Sequence, residues 1–349
     1  MQAVVYLGPG KIEIKERPEP KAEADNLVVE VACCAICGSD LKLATIGHPR
    51  WKPPVIIGHE MSGRVRHVGA RVEGFKAGDR VTLATTLACN ACPICSRGLQ
   101  NLCPNSRPIS QQFDGAFAPL LAIPPLALAG GNVIKVPASV SDEAAALAEP
   151  MSCAINAQEL AGVKLGDRVL IVGGGPLGAI HAEIAKALGA SKVMIVQRSE
   201  PRLSLLKRLA GLIVIDGAKE DVKARVLAET DGLGADAVIV CAPERIAQEQ
   251  SLNYARKGAG VSLFASLPSG ASEILLDSRL IHYSELRIVG ASDSRPEHVQ
   301  KAVDLLAQEK IDVRGIITHS LPLSRFHDGI ELMKLKQSLK VLLWPGRLQ

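Results

Sequence analysis

A chain of 349 residues, 47% hydrophobic and 22% charged, is long enough for two domains and buries enough surface to fold without disulfide staples. The 40 basic and 36 acidic residues leave a net charge of +4 with no long basic run, and aromatic residues are only 3%. That composition argues against nucleic acid as a partner, because single-strand binding needs stacking rings.

The N-terminus "MQAVVYLGPGKIEIKERPEP" alternates apolar and charged residues and reads as strands, without the apolar segment of a secretory signal. "NLVVEVACCA" and "MSGRVRHVGARV" extend the β-rich texture over roughly the first 150 residues, with Gly, Pro and Asp between them. The most apolar stretch, "APLLAIPPLALAGG", is too short and too broken by proline to cross a bilayer. No membrane association and a cytoplasmic location are therefore expected, and closely spaced cysteines there are metal ligands or redox groups sooner than disulfides.

From Asp167 the texture changes. "DRVLIVGGGPLG" is a buried strand ending in glycines, followed by the helical "AIHAEIAKALGA" and the apolar run "SKVMIVQ". The alternation continues with the helix "SEPRLSLLKRLAG", the strand "LIVID", the helix "KEDVKARVLAE", the strand "GADAVIVCA", the helix "PERIAQEQSLNYARKG" and the strand "AGVSLFA". Such a series predicts a parallel sheet doubly wound with helices, an α/β fold. Past Leu286 come "LRIVGAS", a helix near 296–308 and strand-like pieces ending in "KVLLWP".

"VGGGPLG" places Gly173, Gly175 and Gly178 as G-x-G-x-x-G between a strand and a helix, with Pro176 and Leu177 opening the helix. In that context the first glycine permits the tight turn and the second lets the backbone approach a pyrophosphate. The third lets helix and strand pack closely, and the free N–H groups at the helix start face the phosphates. About 20 residues on, a nicotinamide-binding fold usually carries an acidic residue for the ribose 2′-hydroxyl. This chain has Gln197, then Arg198, and Arg202 four further along. With no carboxylate to repel a 2′-phosphate and two guanidinium groups in reach, NADP is favoured over NAD.

"CNACPICSRGLQNLCP" sets Cys89, Cys92, Cys95 and Cys103 in a C-x2-C-x2-C-x7-C pattern. Four thiolates converging from one loop suit tetrahedral zinc in a closed site. An iron–sulfur cluster is the alternative, since Pro104 follows the last cysteine. The final gap departs from the ferredoxin spacing, however, and no second cysteine set exists. A zinc with four protein ligands can hold a lobe together but has no position for substrate.

Three further segments matter: "CGSDLK" with Cys37, "GHEMSG" with His59 and Glu60, and "LAEPMSCA" with Glu149. Taken in order with the cysteine lobe and the glycine turn, they make the chain resemble the zinc-dependent medium-chain dehydrogenases, the alcohol, sorbitol and threonine dehydrogenase family, over its whole length. The resemblance implies a GroES-like catalytic domain from residues 1–152 and 286–349, with the structural-zinc lobe at 86–104, enclosing a Rossmann domain at 153–285. It also implies a catalytic zinc on Cys37, His59 and Glu149, with Glu60 as a direct or exchangeable ligand, so two zinc ions per chain. A glutamate at position 149 is similar to the polyol and threonine branch. Ser39 matches the hydroxyl that begins the family's proton relay. Where the family often carries a relay histidine this chain has Lys42, which either replaces it or binds an anionic group of the substrate. The expected activity is reversible oxidation of a secondary alcohol of a polyol, sugar alcohol or cyclitol with NAD(P). A zinc alcohol/aldehyde or amino-alcohol dehydrogenase, or a non-catalytic NADP- and zinc-binding structural protein, stand as alternatives. Family members imply a homodimer or homotetramer.

Overall fold

A computed structural model describes residues 1–346 and divides into two compact units. The first comprises Met1–Ser152, Asp293–Leu335 and the chain from Lys340; the second comprises Cys153–Ser292 with Lys336–Leu339.

In the first unit, β1 (Gln2–Gly8) and β2 (Lys11–Glu16) form an antiparallel pair, and β1 also pairs with β4 (Val55–Ile56). The larger sheet is centred on β3 (Leu27–Ala35), along which only Glu30 is exposed. β3 pairs antiparallel with β5 (Glu60–Val68), which continues to β6 (Arg80–Leu83), while β7 (Leu120–Ile123) also lies against β3 and β8 (Val133–Lys135) against β6. Nearly continuous apolar sequence in β3 follows from burial on both faces. Its Cys33 and Cys34 are wholly buried small side chains. The core gathers Leu27, Val29, Val31, Leu43, Met61 and Phe117 around these strands.

The second unit carries β9 (Arg168–Val172), β10 (Lys192–Gln197), β11 (Ile213–Asp216), β12 (Ala235–Val240), β13 (Ala255–Leu263) and β14 (Arg287–Gly290). All six are parallel in the order β11-β10-β9-β12-β13-β14. The strand order reverses between β9 and β12, the switch point at which open α/β sheets bind ligands. Two details differ from the sequence reading. The Rossmann segment was expected to stop at 285, yet β14 lies beyond it with Ile288 opposite Val261. Leu286 is buried in the unit's core and Ile288 packs on it, so this short apolar run gains more by closing the sheet than it would elsewhere. Residues 255–258, expected to end a helix, instead open β13; the preceding helix is only Arg245–Gln250, followed by the 3₁₀ turn Ser251–Tyr254.

The chain then completes the first unit with β15 (Ile317–Pro322) and β16 (Lys340–Trp344). β16 pairs antiparallel with β3, Leu343 opposite Cys34, and parallel with β15. Residues 347–349 of the expected 286–349 segment lie outside the described residues.

The glycine turn is built as its spacing requires. Gly173 follows β9 with φ +107°, in the left-handed region, and a Cβ there would lie 2.7 Å from the Ala242 backbone nitrogen. Gly175 caps the helix Pro176–Ala187, and a Cβ on Gly178 would lie 2.0 Å from the Gly173 carbonyl oxygen. Since backbone cannot yield as a flexible side chain can, Gly178→Ala is expected to cost about 1–3 kcal/mol, the range for overpacking. Denaturant unfolding followed by circular dichroism checks this, and an unchanged midpoint would contradict the packing role.

Candidate metal centres and dinucleotide pocket

The four-cysteine lobe is a single loop folded on itself. Cys89, Cys92, Cys95 and Cys103 place their sulfurs within 4.8 Å of one another, and all four are free thiols. The Cys92–Cys95 and Cys89–Cys103 separations are 3.5 Å, and Cys92–Cys103 is 3.9 Å. A tetrahedron with zinc–sulfur bonds of about 2.3 Å has edges of about 3.8 Å, so the sulfurs already stand at zinc spacing. Hydrogen bonding from the Ala91 backbone and the Cys103 thiol pulls Cys89 down to about 6, which favours the thiolate a metal needs.

The second cluster draws on distant segments of the first unit. Cys37 precedes the helix Gly38–Thr45, where its backbone N–H donates to the buried Asp40 carboxylate at 2.9 Å. His59 follows Gly58, whose φ of +95° turns the chain into β5; a Cβ on Gly58 would meet the Phe117 ring at 2.6 Å. Glu60 opens β5. One ligand atom from each of Cys37, His59 and Glu60 lies within 4.8 Å of the others. The Nδ1 of His59 and the Oγ of Ser39 are buried with no hydrogen-bond partner among the described residues. A thiol, an imidazole and a carboxylate converging beside an orphaned ring nitrogen make a donor set suited to zinc.

Glu149 is not one of this trio. It lies in the first turn of the helix Ala148–Ala161, where Thr85 donates a hydroxyl hydrogen bond of 3.3 Å to its carboxylate. Its influence still reaches the cluster. Burial pushes the Glu149 carboxyl up to about 7, with the like charges of Glu60 and Asp293 adding to the rise and His59 and Lys340 opposing it. For His59, burial works against a charged ring, but the Cys37 sulfur and the Asp40 and Glu149 carboxylates outweigh it and hold the imidazole well above its ordinary range. Lys42, on the last turn of the Gly38–Thr45 helix, is exposed and outside the trio.

Sequence reasoning missed Lys340, which is 2% exposed and sets Nζ 2.5 Å from both oxygens of the fully buried Glu60. Burial opposes its charge, yet Glu60 outweighs that and raises the ammonium above its usual range. A lone lysine heading an apolar strand gave no warning of this. Asp40 was legible in principle, since it stands at the third helical position, where an acid reaches back to the N-cap.

In the second unit a cavity of about 150 Å³ is lined by Gly173, Gln197, Arg198, Glu244 and Tyr254 among others. The Gln197 Oε1 accepts from the backbone N–H groups of Arg198 and Ser199, at 2.7 and 3.0 Å, so this side chain is turned onto its own loop. Arg198 is ion-paired with Glu244. Arg202 lies against the glycine turn, its Nη1 3.4 Å from where a Gly175 Cβ would be, and its Nε is buried with no hydrogen-bond partner among the described residues. Pro176 and Leu177 open the helix beside them.

The chain is similar to known proteins over nearly its whole length. The alcohol dehydrogenase GroES-like domain matches residues 23–139, and the zinc-binding dehydrogenase family matches residues 176–308. Sorbitol dehydrogenase of Halalkalibacterium halodurans is 32% identical, with 99% of each chain covered. L-Threonine 3-dehydrogenase of Pyrococcus horikoshii is 33% identical, with 98% of each covered. A solved zinc-binding dehydrogenase of Sinorhizobium meliloti 1021, bound to NADP, superposes with a TM-score of 0.89 at 29% identity over 99% of both chains. These likenesses define a zinc-binding oxidoreductase of small molecules. The chain belongs to the zinc-dependent medium-chain dehydrogenases, of the alcohol, polyol and threonine type. Among the described residues no helix is long and apolar enough to cross a membrane.

Removing Lys340 would strand a buried carboxylate, a change that typically costs about 3–5 kcal/mol. Lys340→Met should lose that much in denaturant unfolding, and adding Glu60→Gln should restore more than half of it. A single variant as stable as the parent would contradict the burial of the pair.

Proposed function

We propose that the enzyme oxidises a secondary alcohol of a polyol, sugar alcohol or cyclitol to the ketone, reversibly, with NADP favoured over NAD. The observation that carries this reading is the convergence of Cys37, His59 and Glu60, with Glu149 in electrostatic reach. In this account Cys37 and His59 hold the catalytic zinc, and the carboxylates of Glu60 and Glu149 share the remaining protein position. Cys89, Cys92, Cys95 and Cys103 hold the second, structural zinc.

When bound, zinc supplies Lewis acidity worth several kcal/mol toward loss of the substrate hydroxyl proton. A positioned proton acceptor adds about 10²–10⁴-fold. Ser39 fills that role: its buried hydroxyl, without a hydrogen-bond partner among the described residues, has both donor and acceptor capacity for a relayed proton. Lys42 stands three residues on, one helical turn away and open to solvent, where the proton leaves. A bound oxidised nicotinamide would supply the hydride acceptor, so that the carbinol carbon would give up its hydrogen with the electron pair while Ser39 takes the hydroxyl proton and the carbonyl forms. Gly173 and Gly175 open the backbone to the pyrophosphate, Gly178 lets the helix pack on the strand, and Arg202 lies beside them as a counter-charge. Gln197 in place of an acid, with Arg198 next to it, supports the preference for NADP.

The threonine-type relative supports a second reading, oxidation of the secondary hydroxyl of a β-hydroxy amino acid. A panel of polyols and hydroxy amino acids with both cofactors separates the two. The account expects kcat/KM highest on a polyol and about tenfold higher with NADP, roughly 1.4 kcal/mol of discrimination. A comparable preference for NAD would overturn the cofactor assignment.

Cys37→Ser should lower kcat/KM by about 10³-fold or more, since it removes a ligand of the group that supplies the larger effect. Retention of about a tenth of the activity would sink the zinc mechanism. Zinc must also displace protons from the cluster, because a charged imidazole and a protonated carboxyl cannot ligate. With His59 held above its ordinary range and Glu149 near 7, zinc affinity at this site should rise with pH across neutrality. Competition with a chelator from about pH 6 to 8 measures this, and a flat profile would contradict the ligand set.

A further inference from the structure

We infer that Glu244 sets how strongly the enzyme distinguishes NADP from NAD, by holding Arg198 away from the 2′-phosphate. The inference rests on the proposed dinucleotide role of the second unit. β10 ends on Gln197, whose side chain is committed to the backbone of Arg198 and Ser199, so no acid at that strand end reaches a ribose. The next residue, Arg198, is the cation nearest in sequence to the expected 2′-position, and its guanidinium is taken by the Glu244 carboxylate.

Glu244 lies four residues past the end of β12, and β10 and β12 flank β9 on either side. The pair therefore joins the loops after both neighbours of the glycine-turn strand, and both residues line the cavity that Gly173 and Gln197 also line. Arg198 and Glu244 side chains are 57% and 48% exposed, so packing does not lock them together.

Two consequences follow from the chemistry. A carboxylate in this cavity can accept hydrogen bonds from ribose hydroxyls, the task an acid at the end of β10 performs in other Rossmann folds. A 2′-phosphate must instead displace that carboxylate from Arg198 and bear its repulsion. Exposed ion pairs are weak, so the displacement costs a few-fold in affinity and leaves NADP able to bind.

Dissociation constants for NADP, NAD and 2′,5′-ADP, measured by titration calorimetry on the full chain, test this without turnover. Glu244→Gln should tighten NADP and 2′,5′-ADP by about three- to tenfold, the range that releasing one exposed pair and one repulsion allows. NAD should hold or weaken slightly. In an Arg198→Ala background the same change should give less than half of that gain. An unchanged NADP-to-NAD ratio in Glu244→Gln, checked with Glu244→Ala, would overturn the inference, as would an equal gain without Arg198. If the unaltered enzyme prefers NAD, the cofactor reading above fails, while the shift caused by Glu244→Gln still decides this one.

Discussion

The candidate catalytic site depends on one buried contact, the ammonium of Lys340 on both oxygens of Glu60. Taking two charges out of water costs several kcal/mol per ion, and their attraction repays this only with close, fully partnered geometry. The contact is therefore a poor way to gain stability and a good way to fix a carboxylate. It joins strands 280 residues apart in sequence, β5 and β16, both paired to β3. The contact therefore requires the last strand of the unit, β16, to be paired with β3. A chain ending before β16 would leave Glu60 without the ammonium of Lys340.

Around that contact the charges are deliberately unbalanced. Asp40, Glu60 and Glu149 are carboxylates buried or in electrostatic reach of His59, and Cys37 adds a potential thiolate, against Lys340 and the imidazole. Burial raises the Glu149 carboxyl, and the negative groups around His59 raise its imidazole, so both favour the protonated form. Perturbed groups of this kind concentrate where chemistry is done. The cysteine lobe contrasts with it: four sulfurs and no open position, a clamp on a loop that lacks a core of its own beyond Ala88 and the cysteines themselves.

Much of this was legible in the sequence where the physics is local. The four cysteines and the glycine turn are each read from a stretch of under 20 residues, because one loop supplies all the ligands or all the close approaches. The alternation of apolar strands and amphipathic helices after Asp167 likewise announced a parallel sheet, now seen in the order β11-β10-β9-β12-β13-β14. Contacts made only by tertiary approach were not legible. Lys340 heads "KVLLW" as a solvent-facing lysine would, and nothing nearby in sequence marks its partner. The place of Glu149 outside the trio depends on where Thr85 and the Ala148–Ala161 helix meet. β14 escaped because four residues of mixed burial look alike in either unit. The pairing of Arg198 with Glu244 joins two loops that share no pattern.

The central claim is that Cys37, His59 and a carboxylate set by Lys340 grip a zinc distinct from the one in the cysteine lobe. Anomalous diffraction at the zinc edge from crystals of the zinc-loaded protein tests it most directly. The account predicts two peaks per chain, one within four sulfurs and one touching the Cys37 sulfur, a His59 nitrogen and an oxygen of Glu60 or Glu149. A single peak in the cysteine lobe, with Cys37 and His59 bare, would contradict it.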